Sequence, residues 1–221
     1  MGKLVTVMGD SFNTEPPKKI RFSKKEIQDL LIAMVIISFA FAIALSTPSG
    51  YSITAIDWAI FPLTLLISFL AIGSGFILHE MGHKFLAIRY GAWAEFRAWM
   101  WGLMMALMMA VLVGVVFAAP GAVYIAGNIT KEQNGKISAM GPMINMTFAF
   151  IFFPLVFITT GIFNTICFYI YYINAFLGVF NLIPLGPLDG AKILSWNVAI
   201  FIALFGAAIA LLVPAFIPNF L

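Results

Sequence analysis

Apolar and polar positions in this chain segregate into long blocks. Six apolar runs, at residues 27–46, 59–78, 100–119, 138–160, 162–183 and 193–213, are separated by interruptions that hold nearly all of the charge. A run of about 20 residues is what an α-helix needs to span the ~30 Å hydrocarbon layer of a bilayer. A helix also satisfies its backbone polar groups within the segment, whereas isolated strands in lipid do not. The pattern predicts an all-α polytopic membrane protein with about six hydrophobic segments.

The charges orient those segments. Residues 1–26 are polar and basic: Lys3, Lys18, Lys19, Arg21, Lys24 and Lys25 are half of the twelve Lys and Arg. By the positive-inside bias this places the N-terminus in the cytoplasm. Ser23 with Glu26 three positions on has the form of a capping box and starts a helix near Lys24. Ala44-Leu45-Ser46 loosely mimics a signal-peptidase site, but the apolar run is longer than a usual signal core, so it reads as a retained anchor. Pro48-Ser49-Gly50 marks an outer turn, and the second run returns inward. Lys84, Arg89 and Arg97 place its far end in the cytoplasm, beside an interfacial aromatic cluster of Tyr90, Trp93, Trp99 and Trp101. Gly73-Ser74-Gly75 lets a neighbouring helix approach closely. The Met-rich third run ends at Pro120-Gly121 and is followed by a short strand-like stretch, 122–126, and a polar loop, 128–136. The runs at 138–160 and 162–183 are joined by a tight turn at Gly161. Pro184, Pro187 and Gly190 then interrupt the chain before the last run, and Pro214 and Pro218 break the tail.

With 62% hydrophobic residues, 10% charged residues and a mean hydropathy of +1.04, an ordinary soluble domain is excluded. The formal charge of +3 and pI near 9.0 do not call for a nucleic-acid partner, because the basic residues flank apolar runs and face a lipid bilayer. Cys167 is the one cysteine, so no internal disulfide can form. No stretch is long and polar enough for a separate soluble domain. Residues 1–221 read as a single membrane-embedded domain.

At the end of the second run stands His79-Glu80-Met81-Gly82-His83. Residues four apart share a helix face, so both imidazoles can hold one zinc ion, and Glu80 beside them can act as general base for a metal-bound water. These are the only two histidines. The bland alternative, a pair of interfacial histidines, leaves an acid in apolar surroundings without a task. A catalytic zinc usually takes a third protein ligand. Cys167 lies alone in mid-span. Glu95 sits among Arg97 and aromatics, and Glu132 in a polar loop, where both read as solvated. Asp189 differs, because it lies in a Pro/Gly-interrupted stretch between apolar runs, where irregular backbone must be buried or line a cavity. Its competing role is to cap the last helix.

These motifs resemble the site-2 proteases, a family of zinc metalloproteases that cut transmembrane helices. The resemblance rests on residues 79–83, on Ala139-Met140-Gly141-Pro142-Met143-Ile144-Asn145, and on Asn181 to Gly190 with its Pro187-Leu188-Asp189-Gly190 ending. It covers roughly residues 59–190, which reads as the catalytic core. One departure is the single Gly after Asp189, where the family often has two. Another is the long Met-rich run at 100–119, which looks like an expanded version of the family's membrane-dipping segment. The resemblance implies one Zn2+ per chain held by His79, His83 and Asp189, with Glu80 as catalytic base. It implies that Asn181 and Asn145 bind substrate or steady the oxyanion. It implies a transmembrane protein substrate cut within the membrane, with the active site towards the cytoplasmic side. For His79 and Asp189 to meet at one depth, residue 138 must also start in the cytoplasm. Residues 100–136 then have to enter the membrane and return as a re-entrant segment. The stretch holding Val123, Tyr124 and Ile125 becomes a candidate for pairing with unwound substrate. Two alternatives remain: a membrane zinc-binding or zinc-transporting protein without protease activity, and a membrane protease using Glu95 or Glu132 as third ligand.

Overall fold

The computed structural model of the protein describes residues 20–47, 56–116 and 120–217. Lys3, Lys18, Lys19, the 48–50 turn, the end of the third apolar run and Pro218 lie outside the described residues. Among the described residues, five helical segments are long and apolar enough to cross a membrane: Lys24–Ser46, Phe61–Arg89, Lys131–Ile158, Gly161–Asn181 and Val198–Phe216; Met100–Val113 is a shorter apolar helix. This is an all-α, multi-pass membrane protein, with one short two-stranded sheet among the described residues.

Helix α1 (Lys24–Ser46) begins where its cap was expected, with the Glu26 N–H donating to Ser23 Oγ at 3.1 Å. The reciprocal half of the box is absent, because the Glu26 carboxylate is engaged elsewhere, by Lys84 and by the Phe96 N–H. The second run forms α2 (Phe61–Ile72), one π turn (Gly73–Ile77) and α3 (Leu78–Arg89), together a continuous 29-residue helix. A π turn carries an extra residue per turn and often marks a functional site. Here it sits just before His79. Its Gly75 is the close approach expected of the small-residue stretch: a Cβ there would lie 2.9 Å from Leu177 Cδ1.

The third run is bracketed by two strands. Strand β1 (Trp93–Ala98) and strand β2 (Gly121–Ala126) pair antiparallel, Trp93 opposite Ala126 and Ala98 opposite Gly121, with α4 (Met100–Val113) between them. The Trp99 N–H donates to Pro120 O at 2.9 Å, so the chain leaves and returns at one place. Fourteen residues of helix reach about 21 Å, short of a ~30 Å crossing. This is the geometry of a re-entrant excursion. Strand β1 was not expected. Its Phe96 is fully buried, and Glu95, read as solvated, pairs with Arg97 and accepts from Ser23 Oγ at 3.2 Å.

Helix α5 (Lys131–Ile158) starts in what looked like a polar loop, because Thr130 and Gln133 form a complete capping box and Glu132 pairs with Lys136 at 2.6 Å. After the left-handed Gly161 (φ +62°) comes α6 (Gly161–Asn181). The last apolar run is broken into α7 (Asp189–Trp196) and α8 (Val198–Leu212) by extended Asn197, whose Oδ1 caps α8 through the Ile200 N–H at 3.1 Å. Helix α5 packs against α3, α6 and α7, and α1 packs against α2, α4 and β1. The first group assembles the candidate site, and the second supports the sheet beside it.

Candidate metal centre

Two helices deliver three donor atoms to one point. His79 and His83, one turn apart on α3, bring their Nε2 atoms to 3.0 Å from each other. Asp189, the first residue of α7, places Oδ2 3.3 Å from His79 Nε2 and 3.0 Å from His83 Nε2. Asp189 is therefore not a helix cap. Its other oxygen, Oδ1, lies 3.4 Å from Lys192 Nζ on the same helix. All three side chains are buried, and they are the one group of such donors among the described residues able to hold a metal ion.

Hydrogen bonds on the far side of each imidazole decide what this convergence means. His83 Nδ1 lies 2.7 Å from the Ile137 carbonyl oxygen, which can only accept. His79 Nδ1 lies 2.6 Å from Asn145 Oδ1. The Asn145 amide is fixed in that orientation because its Nδ2 donates to Gly75 O at 2.7 Å and to Asn174 Oδ1 at 3.2 Å. Both Nδ1 atoms must then donate, so in the neutral rings both Nε2 atoms present lone pairs. Two lone pairs and a carboxylate oxygen facing one another within about hydrogen-bond distance repel unless a cation lies among them. The donor set, two imidazoles and one carboxylate, suits zinc.

The backbone keeps this space clear. At Gly141 on α5 a Cβ would lie 2.5 Å from both Nε2 atoms, inside the cradle itself. At Gly82 it would lie 2.5 Å from Ile144 Cδ1, so glycine lets α3 and α5 approach side by side. At Gly135 it would meet Trp196 at 2.5 Å, which explains how α7, carrying Asp189, seats against α5.

Glu80 lies between the two histidines in sequence and on the wall of the same cavity; it is buried, and its Oε2 has no hydrogen-bond partner. Asn181, Val123 and Ile125 also line that cavity, whereas Tyr124 alternates to the opposite, exposed face of β2. Asn134, Ser138 and Lys192 give it a polar wall. Asn145 is elsewhere. It is fully buried behind His79 with both ends of its amide engaged, so its contacts are to a ligand residue and not to the cavity where substrate was expected to meet it. Asn174, which the sequence reading did not single out, completes this network by donating to Ser74 Oγ at 3.2 Å and to Ile170 O at 2.9 Å. Glu95 and Glu132, the rival third ligands, do not belong to the cluster.

Comparison with known proteins agrees with this centre. Residues 158–204, which include Asp189, match the model of peptidase family M50. The chain is 43% identical over 180 residues, 80% of its own length and 87% of the relative's, to "Putative zinc metalloprotease MJ0611" of Methanocaldococcus jannaschii. The chain belongs to peptidase family M50, the site-2 proteases. A second relative of this protease, "Zinc metalloprotease MJ0392" of the same organism, is 27% identical over 146 residues, 63% of this chain and 34% of that protein. No solved structure matches. As a family member the chain is a zinc metalloprotease, and His79, His83 and Asp189 fit its zinc.

Proposed function

We propose that this metalloprotease hydrolyses peptide bonds inside the membrane-embedded segments of membrane-anchored proteins. The observation that carries the reading is the shared cavity. Three convergent ligand atoms, a carboxylate with one unpartnered oxygen and the edge of a strand line one space walled by helices of membrane-spanning length.

His79, His83 and Asp189 would hold the zinc, which when bound activates a water and polarises the scissile carbonyl. Glu80 has the free acceptor for the proton released during attack, and the same carboxyl then passes it to the leaving amine. Asn181 Nδ2 spends one N–H on Leu177 O at 3.0 Å and has a second to offer an oxyanion in the cavity. A transmembrane helix hides its peptide bonds, so the substrate must unwind. Strand β2 supplies backbone groups on which an unwound segment can pair, with Val123 and Ile125 on the cavity wall. Asn134, Ser138 and Lys192 mark the polar side through which water reaches the site. With a cytoplasmic N-terminus, that side faces the cytoplasm.

The zinc-transport alternative needs ligands presented to both membrane faces, and the described residues hold one cluster. A proteoliposome assay tests the proposal: mass spectrometry of products from a model transmembrane substrate should locate the cut inside its apolar segment. Cuts confined to extramembrane loops would contradict it.

A further inference from the structure

A two-stranded sheet has two outer edges, and this one treats them differently. Because Trp99 and Pro120 form a hydrogen-bonded pair, the antiparallel ladder makes Arg97–Ala122, Glu95–Tyr124 and Trp93–Ala126 the other bonded pairs. The intervening residues turn their N–H and C=O groups outward: Ala94, Phe96 and Ala98 on β1, and Gly121, Val123 and Ile125 on β2. On β2 that outward edge faces the catalytic cavity, where the Val123 N–H meets the Glu80 carboxyl and Gly121 and Ile125 line the same space. On β1 it is taken by α1, since the Phe96 N–H donates to Glu26 Oε1 at 3.0 Å and the Ala98 N–H to Asp29 Oδ2 at 3.4 Å. Glu26 is itself held. Its Oε2 pairs with Lys84 Nζ, which also donates to Arg21 O at 2.8 Å and stands 4.3 Å from the Phe22 ring centroid. Glu26 and Lys84 are both fully buried, and Lys84 follows the ligand His83 directly in α3.

Burying an ion pair is costly unless every group is bonded, and here the same pair bridges the zinc helix, α1 and the sheet edge. An open strand edge accepts any extended chain, and inward-facing charge is a common way to close one. We propose that Glu26, Asp29 and Lys84 are positioning residues for substrate. They seal the outer edge of β1 and fix the hairpin on the zinc helix, so that an unwound substrate segment adds to β2 alone, at a set offset from Glu80. This rests on the strand-addition reading above.

Disulfide trapping tests it, using the zinc-loaded full chain with Cys167→Ser and Glu80→Gln and a transmembrane substrate carrying one cysteine near its cut. A reporter cysteine is placed by Tyr124→Cys on β2 or by Arg97→Cys on β1. With the clamp intact, trapping at β2 should exceed trapping at β1 by about tenfold or more, the weight of two charge-assisted hydrogen bonds blocking the wrong edge. Asp29→Asn should narrow that preference. So should Glu26→Leu/Lys84→Met, which removes both buried charges together and so leaves neither unpaired. In the cleavage-competent chain the same variants should raise KM for the transmembrane substrate and leave zinc content unchanged. A β2 preference untouched in both variants overturns the clamp alone. A chain that cleaves its substrate but traps it at neither strand overturns strand addition and the clamp together.

Discussion

Replacing Asn145 by alanine separates two roles for this residue. The structure places it behind His79, where Oδ1 receives the Nδ1–H at 2.6 Å in a fully buried position. Asn145→Ala leaves that N–H without its acceptor and leaves Gly75 O and Asn174 Oδ1 without a donor. An unsatisfied buried polar group costs about 1–3 kcal/mol. If the cost falls on the orientation and basicity of His79, zinc affinity drops by roughly 5- to 150-fold at about 1.4 kcal/mol per tenfold. Loss of the hydrogen-bond partner of a metal-ligating histidine typically weakens binding by about 10–100-fold, within the same range. Competition against a chromophoric chelator in detergent measures the zinc Kd, and cleavage at saturating zinc measures KM. The expected outcome is a weaker zinc Kd with KM for substrate unchanged. Wild-type zinc affinity with a raised KM would refute the reasoning and place Asn145 on the substrate.

Three further perturbations follow from the same geometry. Gly141→Ala puts a methyl 2.5 Å from both Nε2 atoms, so the purified variant should carry no zinc by elemental analysis while its helical circular dichroism is retained. Ile125→Pro removes an N–H that faces away from β1, so it should spare the hairpin and zinc content yet suppress cleavage of a transmembrane substrate; unimpaired cleavage would count against strand addition. Zinc removal by a chelator should lower the thermal midpoint, and zinc at 100 times its Kd should return about 2.7 kcal/mol of stability; an unchanged midpoint would show that the cluster does not hold the metal in the folded state.

Much of this arrangement is legible in the residues because the bilayer imposes simple rules. Long apolar blocks become helices, and parity with charge requires 100–136 to turn back. The histidine spacing fixes a shared face of α3. What escaped has local physical causes. Strand β1 carries the mixed pattern Trp93-Ala94-Glu95-Phe96-Arg97-Ala98, and its partner lies beyond α4, so no local signal announces the pairing. The start of α5 was signalled by Thr130 and Gln133 but overshadowed by the polarity of 128–136. The break at Asn197 separates two apolar stretches that hydropathy joins. The roles of Asn145 and Asn174 depend on which way each amide faces, and that is set by Gly75 O, Ser74 and Ile170 across three helices.

The most direct test of the central claim is zinc content together with cleavage of a model transmembrane substrate, measured in detergent for wild type, Glu80→Gln and Asp189→Ala. The account predicts that wild type holds one zinc and cuts, that Glu80→Gln holds zinc and does not cut, and that Asp189→Ala loses both. A wild type that binds zinc but cuts nothing, with Glu80→Gln indistinguishable from it, would contradict the account.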